Sequence, residues 1–151
     1  MTWHLSTNSS DETEALGANI GARLRGGEVL ELRSDLGGGK TTFVRGLARG
    51  AGSSDGVGSP SFTISREYQC PDFVIHHYDF YRLSEPGIMA DELRDVMSDP
   101  KAVVLVEWAN VAERVLPETR GVIAIQTIGE NERAFAIDLP DNLAYLRGDN
   151  T

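Results

Sequence analysis

Lys40 and Thr41 close the run Ser34-Asp35-Leu36-Gly37-Gly38-Gly39-Lys40-Thr41, and an ammonium beside a hydroxyl behind glycines suits the binding of a polyphosphate and its metal ion. The run meets the phosphate-loop template G-x-x-x-x-G-K-[ST] except at its first position, where Ser34 stands for glycine. Glycines let backbone N–H groups curl around phosphate oxygens, and a following helix adds the positive end of its dipole. Lys40 would reach the β- and γ-phosphates of a nucleotide, and the Thr41 hydroxyl would hold Mg²⁺. Composition sharpens this reading, because of 14 basic residues only Lys40 and Lys101 are lysines. A planar guanidinium would replace a compact ammonium poorly inside a tight loop. The plainer explanation, a glycine-rich turn that merely precedes a lysine, fits badly with a strand before the run and a helix after it.

Phosphoryl transfer needs charge neutralisation and a positioned water more than covalent chemistry, so the acids able to reach this loop matter most. Glu107 closes the apolar run Val103-Val104-Leu105-Val106, where it could hold the metal directly or through water, or stand as a solvated strand end. Asp79 ends another strand-like run and could order the attacking water or simply cap a nearby helix. His76 and His77 are adjacent on that run and so face opposite ways, which argues against a zinc site and leaves an ordinary polar role for at least one of them. Ser59-Pro60-Ser61-Phe62-Thr63 offers hydroxyls to a phosphate or metal, or forms a plain turn. Arg133 starts a late strand as either an edge charge or a nucleotide contact.

These residues need elements to place them. A short strand over Trp3–Ser6 and a helix capped from Ser9, Ser10 and Asp11 and running to about Arg25 come first, with Gly26-Gly27 as its stop. Glu28–Arg33 is the strand that feeds the loop, and Lys40–Gly50 the helix that leaves it. Residues 50–61, rich in glycine and serine, are expected to be mobile. Strands over Phe62–Gln69 and Phe73–Phe80 flank a Pro71-Asp72 turn, and Glu85–Ser98 is expected as a helix with an acidic face. Lys101–Trp108 reads as a buried strand and Ala109–Leu116 as a helix ended by Pro117. Gly121–Ile128 and Arg133–Leu139 form a second hairpin, and the tail from Pro140 is expected to fray. The predicted fold is a P-loop NTPase-like α/β sandwich, its mixed sheet parallel at the centre and antiparallel at the edge strands.

At 151 residues the chain is expected to form one domain, too small for a separate substrate domain. Its net charge of −9 argues against gripping nucleic acid unaided, since phosphate contacts need a basic face. No apolar run approaches membrane-spanning length, and the opening MTWHLSTNSSDE lacks a basic-then-apolar signal pattern. The single cysteine, Cys70, read as a strand-end residue, cannot form an internal disulfide, so a reducing cytoplasm is expected. The sequon Asn8-Ser9-Ser10 carries no weight without a secretory signal.

With these motifs in view the chain resembles the bacterial TsaE family of small ATPases that act in threonylcarbamoyl-adenosine modification of tRNA. The resemblance rests on DLGGGKTTFVRGLARG at 35–50, SPSFT at 59–63, HYDFYRL at 77–83, VEW at 106–108 and an arginine after a turn at 133, in that order. It implies a Mg²⁺-dependent ATPase that supports a TsaB–TsaD pair as TsaD moves a threonylcarbamoyl group to adenosine 37 of tRNAs reading ANN codons. By position it implies phosphate binding by Leu36, Gly37, Gly38, Gly39, Lys40, Thr41 and Thr42, and metal binding by Thr41 and Glu107. It further implies catalytic roles for Lys40, Asp79 and Glu107, and nucleotide contacts from Ser10 and Arg133. Ser34 departs from the family's first glycine; a positive φ there would cost roughly 1–3 kcal/mol. Gly38 and Ser61 depart where the family more often has alanine and threonine.

Two other classes compete. A small-molecule kinase would need an arginine-rich lid, whereas the candidate region Glu85–Asp99 is mainly acidic. A nucleotide sensor would bind ADP or ATP and change partner affinity without needing turnover.

Overall fold

The computed structural model describes residues 2–34, 39–57, 65–80, 89–108 and 113–148. Strands β1 (Thr2–Thr7), β2 (Val29–Ser34), β3 (Ser65–Gln69), β4 (Val74–Asp79), β5 (Ala102–Glu107), β6 (Gly121–Thr127) and β7 (Arg133–Asp138) form one sheet in the order β1-β7-β6-β2-β5-β4-β3. The inner strands β6, β2, β5 and β4 run parallel. β1, β7 and β3 join antiparallel, so the predicted mixed sheet is the observed one.

Alternation along each strand divides the interior into two apolar layers. Leu30 and Leu32 of β2, Val103 and Leu105 of β5 and Ile75 of β4 pack under helices α1 (Ser10–Gly21) and α2 (Lys40–Gly50). Val29, Val104, Val106 and Tyr78 face the other way, toward Leu93 of α3 (Met89–Met97) and Leu116. β5 is buried at every position, as its unbroken apolar run requires.

α1 and α2 meet backbone to backbone. A Cβ at Gly17 would lie 2.2 Å from the Phe43 carbonyl oxygen, and one at Gly46 would lie 1.9 Å from that of Glu14. No side chain fits at either position, so these glycines set how closely α2 approaches α1.

Three expected elements differ. α1 ends at Gly21 rather than near Arg25, because the Arg23 and Leu24 N–H groups turn back to Ile20 and Gly21. The Glu28 carboxylate then takes the Arg25 and Gly26 N–H groups at 2.7 and 2.8 Å. Leu24 stays buried, which is why apolar spacing alone overextends the helix. Residues 113–116, the described part of the expected Ala109–Leu116 helix, form a turn and bend. The tail is not frayed over 140–148: Asp141–Arg147 form a 3-10 helix that buries Leu143 and Leu146, neighbours on one side at a three-residue repeat. The Tyr145 hydroxyl also donates to Glu28 at 2.5 Å.

Of the expected mobile stretch 50–61, residues 58–61 lie outside the described residues, as do residues 62–64 of the expected strand Phe62–Gln69. Residues 85–88 of the expected acidic helix lie outside them too; from Met89 onward it forms as α3. The turn at Pro71-Asp72 joins β3 to β4 in register Gln69↔Val74, and Cys70 follows β3 directly.

Candidate functional site at the carboxyl ends of the strands

Chain direction fixes where the site lies. β2, β4 and β5 are parallel, so Ser34, Asp79 and Glu107 all end at one rim of the sheet, and α2 starts there. Asp79 and Glu107 are register partners, both buried. Alternation puts them on the α2 face, since Ile75 and His77 precede Asp79 by even steps as Val103 and Leu105 precede Glu107.

The two neighbouring helices begin differently. Ser9 caps α1, its hydroxyl accepting from the Glu12 N–H at 3.1 Å, and Asp11 and Glu12 fill the first turn. Gly39 precedes α2 with φ +92, a left-handed conformation that glycine adopts without strain, and no acid occupies that first turn. The positive end of α2 is therefore open to an anion. Leu36, Gly37 and Gly38 lie outside the described residues. Ser34 is extended at the end of β2, so the strain conditional on a positive φ does not arise.

A chain of polar contacts crosses four elements. The Lys40 Nζ lies 3.0 Å from Glu107 Oε1. Glu107 Oε2 lies 2.6 Å from His77 Nε2, and His77 Nδ1 lies 3.0 Å from the Tyr68 hydroxyl. Burial pushes the Glu107 carboxyl up, but hydrogen bonds from His77 and Lys40, with the charge of the Lys40 ammonium, outweigh it and hold the group below the usual carboxylate range. It is therefore an anion at neutral pH.

Sequence reasoning gave His77 no special role, although the signal was there: a residue two before Asp79 on a strand must share its face. Trp108, next after Glu107, is the one described non-glycine residue at positive φ, +59, and its ring centroid is 5.8 Å from Lys40 Nζ. Such a conformation costs a bulky residue about 1–3 kcal/mol.

Two clefts flank the start of α2. One, about 290 Å³, is lined by Lys40, Trp108, Ser34, Arg33 and Glu31 among others. The other is lined by Ser10, Thr13, Gly39, Thr42, Glu130, Asn131 and Arg133, and so gathers Ser10, Gly39, Thr42 and Arg133 from the sequence-based set into one place. Arg133 Nη1 donates to the carbonyls of Gly129, Glu130 and Glu132 at 3.0, 3.3 and 3.0 Å, bracing the β6–β7 hairpin beside Gly39. Thr41 is exposed at the start of α2. Residues 59–63 lie outside the described residues, and so do residues 81–83.

A family model described as threonylcarbamoyl adenosine biosynthesis protein TsaE matches residues 7–135. A relative from Bacillus subtilis, the tRNA threonylcarbamoyladenosine biosynthesis protein TsaE, is 40% identical over 140 residues, 90% of this chain and 85% of its own length. One of the same name from Rickettsia felis is 28% identical over 137 residues, 88% of this chain and 78% of its own. Among solved structures, Bacillus subtilis YdiB superposes with a TM-score of 0.76 at 32% identity, covering 97% of this chain and 92% of that one.

Proposed function

From the premise that the chain belongs to the TsaE family of threonylcarbamoyl adenosine biosynthesis proteins, we propose that it is a Mg²⁺-dependent ATPase supporting a TsaB–TsaD pair in threonylcarbamoyl modification of adenosine 37 in tRNAs reading ANN codons. The observation that carries this reading is the contact between Lys40 and Glu107 at the rim where α2 begins uncapped. It joins the cation suited to β- and γ-phosphates to the acid at the end of the buried central strand.

In this reading the first turn of α2 and residues Leu36 to Thr42 cradle the phosphates, and Ser10 and Arg133 face the nucleotide from the second cleft. Bound phosphate draws Lys40 toward itself and releases Glu107 Oε1. The hard oxygen donors Thr41 and Glu107, the latter already ionised, suit Mg²⁺, which would neutralise phosphate charge when bound. Asp79, the register partner of Glu107, orders the attacking water. The buried walls of the rim strengthen each electrostatic contact made there.

Among the described residues no helix is long and apolar enough to cross a membrane, which accords with work in the cytoplasm. The net charge of −9 supports leaving the tRNA to the partners. Their docking surface is assigned to residues 50–63 and the acidic α3, which exposes Asp91, Glu92 and Asp95.

The test is ATPase rate against TsaB–TsaD concentration, with tRNA binding by the lone chain measured at physiological salt. A rate that climbs with partner, and negligible tRNA binding alone, are expected. A flat response, or tight tRNA binding by the lone chain, would remove the assignment. Nucleotide binding without turnover under any condition would favour the sensor.

A further inference from the structure

We infer that His77, held by Tyr68, is a positioning residue for Glu107 and keeps that carboxylate in place once Lys40 has turned to phosphate. This deepens the ATPase reading and rests on it. The geometry gives each partner a separate task. Lys40 holds Oε1 at 3.0 Å and His77 holds Oε2 at 2.6 Å, so loss of the first contact leaves the second intact. Without the imidazole, a carboxylate released by Lys40 would keep neither of the two side-chain contacts that now fix its oxygens. His77 is 1% exposed and Tyr68 1% exposed, so water cannot readily substitute for either.

The direction of the hydrogen bonds follows from the acceptor. An ionised carboxylate only accepts, so His77 Nε2 carries a proton toward Oε2. In the neutral ring Nδ1 is then an acceptor, and the Tyr68 hydroxyl donates to it at 3.0 Å. Tyr68 thereby selects the tautomer that can serve Glu107, in the way that groups behind metal-ligating side chains orient them. The contact spans β3, β4 and β5, so the strand order itself builds it.

Asparagine and glutamine at position 77 separate the two ends of the ring. An Asn amide nitrogen stands near the place of Nδ1 and cannot reach Glu107, whereas a Gln amide nitrogen stands near the place of Nε2 and can. His77→Asn should lower kcat by about 10–100-fold with KM for ATP nearly unchanged, and His77→Gln should recover most of that loss. Tyr68→Phe should fall between them. Thermal melting of each variant reports the folded fraction, to which every rate is referred. Independently of turnover, nitrogen-15 NMR of the His77 ring in the nucleotide-free wild type should show the proton on Nε2, and Tyr68→Phe should raise the share of the Nδ1–H form.

Equal kcat per folded molecule in the Asn and Gln variants, or an Nδ1–H ring in the wild type, would overturn the positioning role while leaving the ATPase reading intact. A wild-type chain that turns over no ATP even with partners would instead overturn the ATPase reading. The ring tautomer would then still report whether the Tyr68–His77–Glu107 contact exists.

Discussion

Two buried glutamates on adjacent central strands, Glu31 of β2 and Glu107 of β5, are each 4% exposed and each meet cations, yet they are built for different purposes. Glu31 points to the α3 side of the sheet. Its carboxylate is gripped by the Arg33 guanidinium and by Arg120 Nε at 2.8 Å, and Arg120 also reaches Glu113 at 2.7 Å. Arginine stays charged and offers a rigid fork, so this arrangement persists as part of the fold. Glu107 points to the α2 side and meets one lysine and one histidine. A lysine ammonium on a flexible stem is a partner that another anion can take away. The fork fixes a carboxylate, and the point charge leaves one available.

Breaking the cluster at its exchangeable end should have the largest effect. Lys40→Ala should lower ATP turnover by about 10³-fold or more and reduce nucleotide binding measured by calorimetry below detection, because it removes the only positive side chain in the run Ser34–Thr41. Unchanged binding would end the distinction, since Lys40 would then be no more than a counter-ion like Arg120.

The next test separates the two acids at the rim. Asp79→Ala should remove turnover by roughly 10²-fold while nucleotide affinity stays within about threefold, and Glu107→Ala should lower turnover and weaken its dependence on Mg²⁺ together. A titration of rate against Mg²⁺ distinguishes them. Identical Mg²⁺ curves for both variants would leave Glu107 without a separate role, and loss of folding in Asp79→Ala would make that residue a structural cap.

Glu31→Gln addresses the other side of the comparison. Removing one charge from a buried pair should destabilise the fold by about 3 kcal/mol, seen in denaturant melts, with turnover per folded molecule within about twofold of wild type. A turnover loss as deep as that of Asp79→Ala would place Glu31 in the site as well.

The smallest effect is one of pH. Burial pushes the Glu31 carboxyl up, but hydrogen bonds and charge from Arg33 and Arg120 hold it below the usual carboxylate range. A lowered folded value means that the unfolded chain binds the proton first, so the group stabilises the fold above about pH 4.3 and loses that contribution as pH falls through the lowered value. Acid melts should therefore be steeper for wild type than for Glu31→Gln. Parallel acid limbs would show that the arginines do not stabilise the ionised form.

Much of this architecture was legible because it is local. Lys40–Gly50 is helical as read, and the apolar run of β5 with an acid at its end predicts where Glu107 stands. Alternation gives the face of each strand residue, and Pro71-Asp72 and Gly129-Glu130-Asn131 give the two hairpin turns. The limit of α1 was not legible because Leu24 stays buried beyond the last helical turn and so extends the apolar spacing; the order of the 140–148 tail was not legible because Tyr145 meets Glu28 across 117 positions.

Spacing, periodicity and turn chemistry are properties of neighbours in sequence, and they sufficed for the strands, the helix that starts at Lys40 and the positions of the two acids. The pairing of buried charges belongs to the strand order. β5 lies between β2 and β4, so His77 meets Glu107 across 30 positions, while Arg120 reaches Glu31 across 89. A buried carboxylate must find a partner, but nothing local says which, and only the assembled sheet gave one glutamate two arginines and the other a lysine and a histidine.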